Sequence, residues 1–261
     1  MASEYGLRKA FRRENPEIDL LIVPHKGSPL VVGYPAFGSG LYGNNISQMQ
    51  RRYFHSEAQP NISFRPLTTA ESISVAAYKF SSRAKPAVFD PSLLQTGYVL
   101  RTNGGVWANS LDAQGRLIQD ESVLKQHLSR CEKIRVGEAH IYLGENDFGF
   151  AEYGTFEQGV QDCDTFADSG LARVLEHTKG RAENLRTIAS PKLYNQGVNV
   201  FGFNPTSEFT YRVARLGSYW GVDGGRLYVV GYDWLVDDVG CAFGGLKTGE
   251  ASAIKDTGDK Q

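Results

Sequence analysis

The residues best suited to chemistry are a cysteine at a predicted helix start and a histidine in the strand-like segment before it. Cys163 follows Asp162 where the pattern predicts that a helix begins, and His140 lies in the run Ala139–Gly144. A thiol at a helix N-terminus lies near the positive end of the helix dipole, which lowers its pKa and makes it more nucleophilic. We therefore expect Cys163 to be the candidate nucleophile and His140 its candidate base.

The sequence around this pair resembles the permuted papain-like hydrolases, which include the lecithin retinol acyltransferase group. In those families a His-x-x-Ile-Tyr-x-Gly type strand precedes an Asn-Cys-x-x-Phe type helix, and here His140 stands directly before Ile141-Tyr142-Leu143-Gly144. The resemblance implies that Cys163 attacks an acyl carbon, that His140 accepts the proton and that the helix N-terminus helps to hold the oxyanion.

A structural interpretation of the same segment stays open. Asp162 and Asp164 flank Cys163, and adjacent negative charge disfavours a thiolate. One of these aspartates is then simply the N-cap of the helix, and Cys163 is a small core residue.

A glycine-rich segment is the second candidate site. Gly38, Ser39, Gly40 and Gly43 form a Gly-x-Gly-x-x-Gly pattern between a predicted strand and a predicted helix from Ile46 to His55. Backbone amides in such a loop can hold a phosphate group. With the preceding Pro-Ala-Phe the segment also resembles the diphosphate loop of macrodomains, which implies nucleotide binding. The alternative is a plain turn that leads into the helix.

The distribution of charge gives a weaker indication of function than the two candidate sites above. The first third of the chain has more Lys and Arg than Asp and Glu, although the formal net charge is −1. Its basic residues could contact nucleic-acid phosphates; they are Arg8, Lys9, Arg12, Arg13, Arg51 and Arg52. A solvated helix face is the alternative.

His127 and Cys131 share one predicted helix face with apolar neighbours, so we expect them to pack in the core. We predict no metal and no cofactor.

Composition limits the class of protein. The chain has 261 residues, of which 41% are hydrophobic and 22% charged, which is typical of a globular domain with a sizeable core. Its three cysteines are odd in number and far apart, so we expect no disulfide framework. No secretory signal and no membrane-spanning stretch is apparent. We therefore expect a soluble cytoplasmic protein that does not contact a membrane.

The fold prediction is α+β: a single compact domain over residues 1–246 with a polar, loosely ordered tail from 247 to 261. We expect mainly antiparallel β-sheet, because 29 glycines and several Gly-containing turns indicate hairpins. One such turn is Pro24–Ser28, with Lys26 and Gly27, which joins predicted strands from Asp19 to Val23 and from Pro29 to Tyr34. Helices are expected mostly in the first two thirds. One of them starts at the capping-box pattern Thr68–Glu71, a second follows Asp120, and the cysteine helix ends near Lys179-Gly180.

Two classes of function follow from these features. The first is a binding or assembly module that recognises a protein partner, another copy of itself or nucleic acid through Gly- and aromatic-rich loops. The second is an enzyme, either a thiol-dependent hydrolase or acyltransferase at Cys163 and His140 or a nucleotide-dependent protein at the Gly38–Gly43 loop. The sequence favours the binding module, because each catalytic site lacks a necessary member.

Overall fold

The computed structural model describes residues 6–8, 19–34, 54–56, 59–81, 93–112, 115–190, 192, 194–221, 224–231 and 240–246. These residues form two β-sheets, in which most strand pairs are antiparallel, and five α-helices, the last of which ends at Ile188. The predicted class, a single compact α+β fold with mainly antiparallel sheet and with helices concentrated in the first two thirds, is confirmed.

The strands, in chain order, are β1 (Gly6–Arg8), β2 (Asp19–His25), β3 (Ser28–Tyr34), β4 (Phe54–Ser56), β5 (Gln59–Pro66), β6 (Leu93–Arg101), β7 (Gly105–Ala108), β8 (Glu132–Val136), β9 (Ala139–Leu143), β10 (Gly149–Glu152), β11 (Gly159–Gln161), β12 (Val198–Phe201), β13 (Thr210–Gly221), β14 (Gly224–Val230), β15 (Gly240–Cys241) and β16 (Gly244–Leu246). The smaller sheet has the order β1-β2-β3-β16-β5-β4. The larger sheet has the order β11-β12-β14-β13-β6-β7-β10-β9-β8, and β15 pairs with β6.

The helices are α1 (Thr69–Ser81), α2 (Glu121–Ser129), α3 (Cys163–Asp168), α4 (Gly170–Glu176) and α5 (Glu183–Ile188). Helix α1 packs against β2 of the smaller sheet, β6 of the larger sheet, and both α4 and α5. Its buried residues therefore join one core that includes side chains from both sheets. A second core lies under α2 on the opposite face of the larger sheet.

Several local predictions agree with the structure. The capping box is formed, because Thr68 N donates to Glu71 Oε2 at 2.9 Å and Glu71 N donates to Thr68 Oγ1 at 3.1 Å. Asp120 caps α2 by accepting from Ser122 N at 2.8 Å. The helix predicted from Ile46 to His55 does not extend through its last residues, because β4 begins at Phe54; residues 46 to 53 lie outside the described part of the chain.

The predicted single helix after Cys163 is wrong, since two short helices stand in its place. Ser169 between them is extended, with φ −66° and ψ 152°, and its hydroxyl accepts from Ala172 N as the cap of α4. Gly170 lies so close to Thr155 that a Cβ atom there would be 2.3 Å from Oγ1. The break therefore lets α4 turn onto the larger sheet. Helix α4 ends at Glu176 with His177 as its C-cap, before the predicted Lys179-Gly180.

Candidate functional site

Cys163 is the first residue of α3, as the sequence predicts. Asp162 is the N-cap, and one of its carboxylate oxygens accepts from Asp164 N at 2.9 Å and from Thr165 N at 2.8 Å. The cysteine is 8% exposed, and burial, followed by the charge of Asp164, raises the pKa of its thiol. These surroundings favour the core interpretation, because a raised pKa lowers the thiolate fraction at neutral pH.

His140 lies on β9 and bonds to a different residue. Its backbone N donates to Glu152 Oε2 at 2.8 Å, and its Nδ1 lies 3.3 Å from the same oxygen. Tyr142 completes this surface group by donating to Glu152 Oε1 at 3.0 Å. In the described residues no hydrogen bond joins His140 to Cys163, so their joint action stays a prediction.

The other predicted sites have little or no described structure. Gly38, Ser39, Gly40 and Gly43 lie outside the described residues, as do Lys9, Arg12, Arg13, Arg51 and Arg52, while the backbone of Arg8 lies in β1. Within the described part of the chain, no three His, Cys, Asp or Glu side chains are grouped so that they could hold a metal ion. Cys131 and Cys163 are free thiols. None of the described helices has the length and apolar character needed to cross a bilayer.

The most elaborate polar group in the described structure surrounds Asp147, in the turn between β9 and β10. Its carboxylate accepts from Lys26 Nζ and, at 2.5 Å, from Thr68 Oγ1. His177 Nδ1 lies 3.7 Å from Oδ1, and His25 Nε2 lies 3.9 Å from Oδ2. We call these five residues the Asp147 cluster. They come from the β2–β3 turn, the start of α1, the β9–β10 turn and the end of α4.

Lys26 enters the cluster from a tight hairpin turn. Lys26 and Gly27 connect β2 to β3 with φ angles of 47° and 80°. This left-handed conformation suits glycine, asparagine or aspartate, and a lysine in it is unusual. The ammonium group contacts Asp147 and lies 2.7 Å from His177 Nδ1.

His177 also occupies a position where glycine is common. It is the C-cap of α4 with φ 52°, and the following Thr178 N donates to Arg173 O at 2.9 Å, as at many glycine-terminated helices. Its Nε2 lies 2.8 Å from Gly144 O, a carbonyl that can only accept. The Nε2 atom therefore carries the proton, and Nδ1 accepts from Lys26.

His25 has the opposite tautomer. Ser74 Oγ donates its one hydrogen to Ala70 O at 3.0 Å, so it accepts from His25 Nδ1, which lies 2.9 Å away. In neutral His25 the lone pair is consequently on Nε2, the nitrogen closer to Asp147. The histidine side chain is 15% exposed, so this nitrogen is held at the edge of the solvent.

Asn109 fixes the backbone of the cluster. It follows β7 with φ 51°, and its Nδ2 donates to Asp147 O and to Thr69 Oγ1, each at 3.0 Å. Thr69 N donates in turn to Asn109 Oδ1 at 3.2 Å. A 3% exposed amide thus ties the start of α1 to the turn that carries Asp147.

The strained backbone of the described residues is concentrated here. The non-glycine residues with positive φ are Lys26, Asn109, Asn146, Asp147 and His177. All of them belong to the Asp147 cluster or adjoin it. Such conformations cost of order 1 kcal/mol or more for each residue and occur preferentially at functional sites. Asparagine and aspartate tolerate this region, whereas lysine and histidine do so less readily.

Burial and charge set the protonation states of the cluster. For Asp147 burial alone would raise the pKa, but the hydrogen bonds from Lys26 and Thr68 and the charge of Lys26 outweigh it and lower the pKa. Burial lowers the pKa of His25, against the attraction of Asp147, and burial followed by the charge of Lys26 lowers the pKa of His177. At neutral pH the cluster contains one cation, one anion and two neutral histidines.

These shifts predict that acid destabilises the fold. The two histidines bind protons less readily in the folded protein than in the unfolded chain, where the reference pKa is 6.5. Their contribution to the stability of the fold is complete above pH 6.5. It decreases as the pH falls from 6.5 to the lowered pKa values of the folded protein. Urea denaturation at pH 7.5 and pH 5.0 measures the loss.

The double variant His25→Gln and His177→Gln isolates this effect. Burial raises the pKa of Glu176, which gives the opposite pH dependence but is present in both proteins. The difference between the wild type and the double variant should therefore become smaller at pH 5.0. A stability difference between the two proteins that does not change with pH would contradict the lowered pKa values of His25 and His177.

Comparison with protein families, curated proteins and solved structures finds no match to this chain. The site must consequently be interpreted from its own geometry.

The sequence did not predict the Asp147 cluster, although two local signals were present. Lys26 precedes Gly27 in a predicted hairpin, and His177 stands near a predicted helix end. Neither signal says that the two side chains meet.

Proposed function

We propose that this protein is an enzyme that hydrolyses a neutral carboxylic ester by acid–base catalysis at the Asp147 cluster. The observation that carries the proposal is the meeting of Lys26 and His177, two residues poorly suited to their left-handed backbone positions, on one largely buried carboxylate. Strain of this kind persists where the side chain has a task that outweighs its cost.

The charge of the cluster favours a neutral substrate. Lys26 is balanced by Asp147, and both histidines have lowered pKa values, so a substrate that is already an anion gains little on binding. An ester develops negative charge only when its carbonyl is attacked. One ammonium group close to that oxygen stabilises the transition state more than the ground state, which is the requirement for catalysis.

The proposed reaction assigns one role to each side chain. His25 Nε2 takes a proton from water, whose oxygen attacks the ester carbonyl, and Lys26 stabilises the resulting oxyanion. The bond to the alcohol oxygen then breaks, and that oxygen receives the proton from His25. Asp147 and His177 are positioning residues, because they hold the Lys26 ammonium. Ser74 fixes the His25 ring through the 2.9 Å hydrogen bond.

The proposal is tested with purified protein and short-chain nitrophenyl esters between pH 5 and 9. The wild type should release nitrophenol catalytically, with an acid limb whose apparent pKa is below 6.5. His25→Gln should lower kcat by about 100-fold or more, the usual contribution of a general base. Lys26→Met should also lower kcat. Far-UV dichroism and thermal unfolding check that each variant is folded.

Two matched variants separate this site from the thiol hypothesis. Cys163→Ala and His140→Gln should retain wild-type turnover, because neither residue belongs to the Asp147 cluster. Loss of activity in these variants, with activity retained in His25→Gln, would instead establish the hydrolase at Cys163 and His140. Absence of turnover in the wild type, or turnover equal in His25→Gln, would overturn the proposal.

The binding-module hypothesis stays a prediction beside this one. Its Gly38–Gly43 loop and most of its basic residues lie outside the described part of the chain. Protein, self and nucleic-acid partners, and a cytoplasmic location, are likewise predictions from the sequence.

A further inference from the structure

A second polar group lies at the end of β9 that is farther from the Asp147 turn. It consists of His140 and Tyr142 on β9, Glu152 on β10, and Lys133 and Arg135 on β8. In the pairing of β8 with β9, Arg135 is directly opposite His140 and Lys133 is directly opposite Tyr142. Residues that pair directly lie on the same face of a sheet, so the two cations share a face with the histidine. We call these five residues the His140 site.

Glu152 sets the tautomer of His140. Its Oε2 accepts from His140 N at 2.8 Å and lies 3.3 Å from His140 Nδ1. Burial alone would raise the pKa of Glu152, but the hydrogen bonds from His140 N and from Tyr142 Oη outweigh it and lower the pKa. An ionised carboxylate can only accept a hydrogen bond. In neutral His140 the proton is therefore on Nδ1, and the lone pair is on Nε2.

The Nε2 atom of His140 is accessible. Among the described residues it makes no hydrogen bond, and the buried polar atoms without a partner belong to other side chains. The His140 side chain is 31% exposed, about twice the 15% of His25 or His177. The imidazole thus presents a nucleophilic nitrogen to solvent, with a carboxylate on its opposite side.

The charges beside this nitrogen favour an anionic reaction partner. The Arg135 side chain is 70% exposed, and its Nε donates to Gly137 O at 3.0 Å. Its terminal nitrogens make only a 3.9 Å contact with Glu138, a side chain that is 99% exposed. The Lys133 ammonium lies 5.6 Å from the centre of the Tyr142 ring. A guanidinium of this kind can bind two oxygens of a phosphoryl group, with the lysine as a second positive charge.

We propose that His140 accepts a phosphoryl group on Nε2 from a phosphoramidate. The Nε2 lone pair forms a bond to phosphorus while the phosphorus–nitrogen bond of the donor breaks. The donor nitrogen, which is already protonated, leaves as a neutral amine with the electron pair of that bond. The ring gains a positive charge, which Glu152 stabilises through the Nδ1 proton. Arg135 and Lys133 stabilise the phosphoryl oxygens, and positioning and charge stabilisation are the main requirements of phosphoryl transfer.

The direct test is treatment of the intact protein with phosphoramidate at pH 7.5. Mass spectrometry at alkaline pH, where phosphohistidine is stable, measures the rate of phosphorylation at each histidine. His127 on α2 is the internal reference, because it is partly exposed and has no carboxylate partner among the described residues. His140 should react about tenfold faster than His127 or more, since the carboxylate partner of an imidazole typically contributes at least this factor. Equal rates, or no phosphorylation of His140, would overturn the proposal.

The position of the phosphoryl group on the ring is a second readout. Chromatography against the two synthetic phosphohistidines should find only the Nε2 isomer, because Glu152 occupies Nδ1. A product phosphorylated mainly on Nδ1 would contradict the tautomer and the proposal with it.

Variants test the carboxylate and the cation separately. Glu152→Gln keeps an acceptor for His140 Nδ1 but removes the charge, so it should slow phosphorylation of His140 by about tenfold and leave His127 unchanged. Arg135→Met, at an exposed position where folding is not at risk, should also slow it, whereas Lys125→Met at an equally exposed position on α2 should not. Circular dichroism checks that each variant is folded. A wild-type rate in Glu152→Gln or in Arg135→Met would overturn the proposal.

A neutral reagent separates phosphoryl recognition from general imidazole reactivity. Diethyl pyrocarbonate also modifies histidine but carries no charge, so Arg135→Met should react with it at His140 as fast as the wild type. An equal decrease with both reagents would mean that Arg135 acts through the structure of the β8–β9 hairpin, which contradicts its proposed role. The Asp147 cluster takes no part in this reaction, and His25→Gln should be phosphorylated at His140 like the wild type. The outcome is therefore independent of ester hydrolysis.

Discussion

Asp147→Ala should lower the free energy of unfolding by about 2–4 kcal/mol, since a hydrogen bond to a charged group contributes roughly 1.5–3 kcal/mol. The carboxylate is 11% exposed and accepts from Lys26 and Thr68. Its removal leaves the Thr68 hydroxyl without its acceptor and the Lys26 ammonium with only His177 Nδ1 as an acceptor. Because the Lys26 side chain is 41% exposed and can turn to water, the loss should not reach the upper range for a fully buried ion pair. Guanidinium denaturation at pH 7.5 measures it.

Two comparison variants show whether the loss of stability comes from the charge and position of Asp147 within the cluster. Asp147→Asn keeps the size and the left-handed conformation, so its loss should be smaller and should come from the missing charge. Glu121→Ala removes a carboxylate from an exposed i,i+4 pair with Lys125 on α2 and should cost only about 0.3–0.5 kcal/mol. Equal losses for Asp147→Ala and Glu121→Ala would mean that the cluster adds nothing to stability.

Gly105→Ala should have the largest effect on the fold, at about 4 kcal/mol or more, a size reserved for severe steric or buried-charge defects. A Cβ atom on Gly105 would lie 2.1 Å from Ala151 O and 2.8 Å from the Phe150 ring. The first of these atoms is backbone in the paired strand β10, so a rotamer change cannot relieve the clash. Little soluble folded protein is expected, and calorimetry of any that is obtained should show a strongly lowered Tm.

The adjacent glycine provides the control. At Gly104 the nearest atom to an added Cβ is Phe150 Cζ at 3.7 Å, which is ordinary contact. Gly104→Ala should therefore stay within about 0.5 kcal/mol of the wild type. If the two alanine variants were equally stable, the close approach of β7 to β10, and with it the placement of Asn109 and the Asp147 turn, would be wrong.

The part of the fold that could be predicted from the sequence is the part that local signals determine. The capping box at Thr68 and Glu71 and the Asp120 cap specify helix starts because the side chain bonds to backbone within one turn. The turn at Lys26-Gly27 is equally local. The break at Ser169 was missed because it depends on the contact of Gly170 with Thr155, which lies in a different segment.

The candidate site could not be predicted for the same reason. The hydrogen bonds of Lys26 reach Asp147 and His177, which are 121 and 151 positions away. No periodicity or spacing rule connects residues at such separations. Cys163 and His140 were predicted as a pair because a helix start and a strand-like segment offered a nucleophile and a base. In the fold His140 bonds to Glu152, and burial and the charge of Asp164 raise the pKa of the Cys163 thiol.

The large sequence separation within the Asp147 cluster also bears on how the molecule assembles. Closing a loop of more than a hundred residues costs chain entropy before any contact compensates for it, and chains dominated by distant contacts fold slowly. The hairpin that carries Lys26 contacts the β9–β10 turn through Asp147 and the end of α4 through His177. The cluster is therefore complete only when these three distant segments have met, and a chain with the local strands and helices alone lacks it.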